Sequence, residues 1–222
     1  ATDGKTTVGA SVSTPIQAFS FNEGIIAADA TGILLRGAKE GVRSLCRYTT
    51  ALGLISCVND PVETRAYIAV APSSYLYASY PNANPVRGAQ PTVGLFNRST
   101  HTLATPFTSL STSSNSQWTP AIVYDKSVDR YVAVWLDDSL ADQAVTATTG
   151  GIRVIGAVIQ SRGETADVGP TFTISVPGGV PGETKSGGIE GISSRPQLVQ
   201  TSAGLFAIWQ ENRTNQPTSR IY

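Results

Sequence analysis

Trp118–Val176 reads WTPAIVYD, KSV and DRYVAVWLD, then a polar loop, then GGIRVIGAVIQSRGE and GPTFTISV. These are four apolar runs rich in Val, Ile, Tyr, Phe and Thr, divided by Gly, Asp, Ser and Pro. β-Branched and aromatic residues suit a pleated, half-buried surface, and the dividing residues suit turns. The stretch therefore holds the content of one four-stranded antiparallel sheet.

Parts of it recur along the chain, which makes the repeat the first thing to test. WTPAIVY … YVAVW135 has a partner in Arg195-Pro-Gln-Leu-Val-Gln … Leu-Phe-Ala-Ile-Trp209, and each ends on an acidic residue, Asp137 or Glu211. Looser copies run from Ala66 to Tyr80 and from Pro15 to Asp29. Hairpins are thus expected to start near residues 15, 66, 120 and 196. An aliphatic-Ser pair recurs at Val12-Ser13, Ile55-Ser56, Leu110-Ser111 and Ile174-Ser175, once before the first hairpin and never after the last. Leu34–Arg43 is the best helical candidate, but it holds two glycines and no caps, so it is set aside.

The fold expected is all-β, a β-propeller of about four four-stranded blades in a single domain spanning residues 1–222. The blades fall at about 15–57, 66–112, 120–176 and 196–222 plus 6–13. In this arrangement Thr6–Ser13 completes the last blade, which closes the ring and removes a free sheet edge. A fragment of a larger propeller is the alternative.

The third unit, and in part the residues from Arg195 onward, resemble the repeats of secreted β-propeller-like proteins. The resemblance rests on Pro-x-Ile-Val-Tyr, Asp-Arg-Tyr-Val-Ala-Val-Trp and Phe-Thr-Ile-Ser. It implies architecture and export and no particular reaction. The boxes of sialidase-type, WD40 and integrin-type propellers are absent from the sequence.

Composition narrows the function. Charged residues are 14% of the chain, the formal net charge is zero and the basic residues are scattered. That excludes a strong nucleic-acid surface, which needs clustered Lys and Arg. No apolar run approaches the roughly 20 residues of a membrane span. Met is absent and the sequence opens Ala1-Thr2-Asp3-Gly4, which suits a new end after signal cleavage or simply the point where the sequence given begins. A secreted or cell-surface location follows. Cys46 and Cys57 flank a hairpin turn, so an exported chain would join them in a disulfide; two packed thiols are the alternative. No cofactor and no metal is expected. The lone His101 lies in a polar turn, and Asp137, Asp138 and Asp142 lack the alternating spacing that wraps calcium.

Two readings of function remain. In the first, a non-enzymatic protein binds carbohydrate, a protein surface or copies of itself. Tyr75, Tyr77, Tyr80 and Trp118 would form the contact, since an amphipathic ring suits sugar stacking. In the second, a glycoside hydrolase uses paired carboxylates, drawn from Asp125, Asp137, Asp138 and Glu211. These four read more simply as solvated turn carboxylates, so the first reading leads. Asn97-Arg-Ser and Asn212-Arg-Thr are candidate N-glycosylation sequons.

Overall fold

A run such as YVAVWL, apolar at every position, has no polar face to give to water, so it calls for a strand covered on both sides. The computed structural model places it so. It describes residues 25–29, 31–39, 42–60, 65–80, 90–100, 102–104, 106–112, 117–137, 153–163, 165–174, 196–211 and 220–221. The fold is all-β, of the β-propeller class with about four blades. The chain divides into two compact units, Ala1–Pro61 and Val62–Tyr222.

In the first unit β1 (Ile25–Asp29), β2 (Gly32–Lys39), β3 (Val42–Tyr48) and β4 (Leu54–Asn59) form one antiparallel sheet in chain order. Cys46 stands opposite Cys57 across β3 and β4, and the two form a disulfide as expected. Cys46 and Tyr48 pack with Ile33, Leu35 and Cys57 on one face. On β2, the buried Arg36 pairs with Asp60 at 2.5 Å. Ile25–Asp29 pairs forward with Gly32–Lys39, and the first strand of the hairpin expected from Pro15 to Asp29 lies outside the described residues. Gly37, one of the two glycines that argued against a helix over Leu34–Arg43, lies inside β2.

In the second unit β5 (Arg65–Val70), β6 (Ser74–Tyr80), β7 (Thr92–Asn97) and β8 (Thr108–Ser109) form a second sheet. A third comprises β9 (Gln117–Asp125), β10 (Arg130–Asp137), β11 (Arg153–Arg162) and β12 (Thr165–Thr173). β13 (Gln197–Thr201) pairs with β14 (Gly204–Ile208), and β15 (Gln210–Glu211) with β16 (Arg220–Ile221). Thr6–Ser13, the strand expected to complete the last blade, lies outside the described residues.

In the third sheet β10 is buried on both faces. Tyr131, Ala133 and Trp135 enter a core with Leu76, Val93 and Leu95 of the second sheet. Val134 and Leu136 alternate with them and meet Leu198 and Trp209 on the other side. Trp135 is fully buried.

Proline sets two irregularities in this sheet. The β9–β10 register slips between Val134 and Leu136, where Thr119-Pro120 lies opposite. The β11–β12 register slips between Ala157 and Ile159, where Gly169-Pro170 lies opposite. Proline cannot donate to a ladder, so a bulge is where a sheet accepts it. Pro120 sits inside β9.

Candidate functional site

The first strands of successive sheets, β5, β9 and β13, touch, with β9 in the middle. Three hydrogen bonds show that their sheets are aligned end to end. At one end Ser74 and Tyr131 hydroxyls meet at 2.9 Å, and Gln200 Nε2 donates to Asp125 Oδ1 at 2.7 Å. At the other, Gln117 Nε2 donates to Ser111 Oγ at 3.1 Å.

The two ends differ in what connects the strands. At the first end most links are tight: 71–73 joins β5 to β6, 126–129 joins β9 to β10, and 202–203 joins β13 to β14. At the second end 110–116 joins β8 to β9, and the longer links are 81–91, 138–152 and 174–196. Long connections over a rigid scaffold are where binding and catalytic groups concentrate. We call these the turn end and the loop end.

Carboxylates at the turn end are already engaged. Asp125 Oδ1 accepts from Ser127 N at 2.9 Å, from Ser127 Oγ at 2.6 Å and from Gln200. The Ser127 bonds hold the Asp125 carboxyl below its ordinary range. Asp129, at φ 51°, accepts from Tyr124 Oη at 2.5 Å, which pushes the Tyr124 phenol up to about 12.

At the loop end the first residue of β9 is the centre of a buried network. Gln117 Oε1 accepts from Trp135 Nε1 at 2.9 Å, while its Nε2 donates to Asp137 Oδ1 at 3.1 Å and to Ser111 Oγ. Indole can only donate, which fixes the amide's orientation. Gln117 and Asp137 are both fully buried. The expectation of a solvated turn carboxylate is therefore corrected for Asp137: its strand runs into the core, and Gln117 meets its oxygen there.

The tyrosine contact surface is corrected too. Tyr75 and Tyr77 are buried, at 1% and 0% exposure. Tyr75 stacks on Phe96 with ring centroids 5.1 Å apart, and Tyr77 packs against Phe96 and Phe107. The period-two pattern did put them on one face, but that face is covered. Tyr80 ends β6 and Trp118 is the second residue of β9; only their backbones are described. Asp138, Asp142, His101 and Asn212 lie outside the described residues, and Glu211 is described by backbone alone in β15. Among the described residues no His, Cys, Asp and Glu cluster could hold a metal ion. Nor is any helix among them long and apolar enough to cross a membrane. Sequence reasoning missed Gln117 because nothing marks a glutamine after SSNS as interior; its register opposite Asp137 is what does.

These sheets define an all-β protein of the propeller class with an elaborated loop end. No protein-family profile and no curated protein matches the chain. Among solved structures it is similar to an endo-arabinase from Bacteroides thetaiotaomicron VPI-5482, with TM-score 0.49 and 12% identity over 96% of this chain and 77% of that one. It is also similar to a thermostable family-43 glycoside hydrolase, with TM-score 0.47 and 8% identity over 90% of this chain and 66% of that one. Both neighbours are named as enzymes, which stands against the reading of the chain as a non-enzymatic binding or self-assembling protein, and that reading is set aside.

Proposed function

We propose that the chain is an exported glycoside hydrolase that cuts its carbohydrate substrate at the loop end with paired carboxylates. The observation that carries this reading is placement. Asp138, Asp142, Glu183 and Glu190 belong to the two long connections at that end, 138–152 and 174–196, and Glu211 follows β14 as it returns there. The acids of the turn link 126–129 and its flanks, in contrast, are bound to Ser127, Gln200 and Tyr124. Glycoside cleavage needs one carboxyl held protonated to serve the leaving oxygen and a second held ionised, about 5–10 Å apart. Connections from two neighbouring sheets are a means of delivering such a pair. The Cys46–Cys57 disulfide supports an oxidising, extracellular location. In the same reading residues 1–222 fold as a single propeller domain.

The test is release of reducing ends from a panel of plant and bacterial polysaccharides, arabinan included, by the purified chain. Asp138→Asn, Asp142→Asn, Glu190→Gln and Glu211→Gln are assayed in parallel, with melting curves as a control for folding. At least two of the four are expected to lose about 10²-fold or more in rate, the usual weight of acid–base catalysis. No release from any substrate, or activity that survives all four changes and Glu183→Gln as well, overturns the reading.

A further inference from the structure

Asn97 is the last residue of β7, at the turn end and away from the proposed site. Its side-chain oxygen accepts from Ser99 N at 2.9 Å, Ser99 Oγ at 2.7 Å and Thr100 N at 3.2 Å. The amide thereby closes an Asx turn over Arg98, with its oxygen fully used. Its nitrogen, Nδ2, makes no hydrogen bond among the described residues.

The turn is anchored from beneath. Arg98 Nη1 donates to the carbonyls of Ala71 at 3.0 Å and Pro72 at 3.4 Å, and Arg98 N donates to Ser73 O at 3.1 Å. Ser99 and Thr100 are exposed. Arg98, the middle residue of Asn97-Arg98-Ser99, is therefore held to the neighbouring turn, while the residues after it face solvent.

We propose that Asn97 is an N-linked glycan acceptor, modified through Nδ2 at the end of the molecule opposite the proposed active site. The co-reactant is an oligosaccharide activated as a polyprenyl pyrophosphate, brought by its transferase. The Nδ2–C1 bond forms as the C1–O bond to pyrophosphate breaks. The pyrophosphate leaves with the electron pair, and one amide proton passes to the transferase. The turn that orients Asn97 is made by residues 97–100 alone, so it can form before the sheets do. In the folded chain the added sugar displaces none of the bonds to Oδ1, and it leaves a half-buried asparagine beside the exposed Ser99 and Thr100. The asparagine of the other sequon, Asn212, follows β15 in sequence and lies outside the described residues.

The test is expression behind a secretory leader in a eukaryotic host, with peptide mapping of secreted and cell-retained chain before and after peptide-N-glycosidase. The peptide holding Asn97 is expected to carry a hexosamine-core glycan. After enzymatic release it is expected to show the asparagine-to-aspartate mass change at that position. Asn97→Asp keeps the turn-closing oxygen, so it is expected to be secreted as well as the wild type with no glycan on this peptide. Ser99→Ala is expected to abolish the modification and Ser99→Thr to retain it. An unmodified Asn97 peptide in the wild type, with or without a glycan on Asn212, overturns the proposal. So does a glycan that persists in Ser99→Ala.

Discussion

Trp135 donates its indole N–H to Gln117 Oε1 at 2.9 Å, and the far side of the same amide donates to Asp137. All three side chains are fully buried. Gln117→Leu keeps most of the volume but strips partners from a buried donor and a buried acid. An unpaired buried group costs about 1–3 kcal/mol, and more when it is charged. The variant is expected to lose about 2–4 kcal/mol in urea unfolding. Trp135→Phe in the same background is expected to cost less than it does alone, because the orphaned N–H is then gone. Fully additive losses would show that the network carries no coupling.

Gly94 and Gly156 occupy third strands of their sheets, and each lies under a phenylalanine. At Gly94 an added Cβ would meet only side-chain atoms, Phe107 at 2.8 Å and Leu103 at 3.0 Å. At Gly156 it would meet the Ala133 carbonyl oxygen at 2.9 Å as well as Phe172. A ring can rotate away, but a strand backbone cannot without breaking its ladder. Gly156→Ala is therefore expected to destabilise by about 1–3 kcal/mol, the usual range for overpacking, and by more than Gly94→Ala. Equal melting-temperature losses would contradict this.

Acid should loosen the junction between β9 and β13. The folded Asp125 carboxyl titrates below its unfolded value, chiefly because Ser127 donates to it. Its contribution is therefore complete above the unfolded value near 3.9 and is lost as pH falls through the lower folded value. The stability gap between wild type and Asp125→Asn is expected to be constant from neutral pH down to about 5 and to narrow below about 4. A gap that widens on acidification would reverse the sign.

Cys46 and Cys57 are 11 residues apart and join β3 to the edge strand β4. Closing so short a loop restricts the unfolded chain by about 3 kcal/mol in the chain-entropy account. Reduction, or Cys46→Ala with Cys57→Ala, is expected to lower stability by about 2–4 kcal/mol. Amide exchange should speed up first in β4, which among the described residues is paired on one side only. Uniform acceleration across the first unit would locate the effect elsewhere.

Much of the second unit was legible because it obeys simple periods. The strand from Arg130 to Asp137 is apolar at each interior position, and it is covered on both faces. Its neighbours read as readily between clear turn residues. Three things were not legible. Gly32–Lys39 carries two glycines in a strand, which propensity alone argues against. Tyr75 and Tyr77 alternate correctly, but alternation does not say whether a face meets water or Phe96 and Phe107. Asp137 ends a strand as a turn residue does, and only the register with Gln117 makes it interior. In each case the deciding partner is distant in sequence.

Tyr124 and Tyr131 lie with ring centroids 5.3 Å apart, yet the largest cause that raises each is different. For Tyr124 the largest is its hydrogen bond to Asp129, followed by burial and the charges of Asp129 and Asp125. For Tyr131 it is burial, partly offset by the bond from Ser74, and the phenol is raised beyond the range of ordinary titration. Both folded values exceed the unfolded value near 10, so the stability they contribute is complete below about pH 10 and is lost as pH rises through the folded values. In a phenolate absorbance titration the Tyr124→Phe difference is expected to show a group ionising near 12. Asp129→Asn removes the charge and weakens the bond, so Tyr124 should ionise at lower pH while Tyr131 barely moves. Movement of both tyrosines together would show that they respond to a shared opening of the turn end, with Asp129 no special partner of Tyr124.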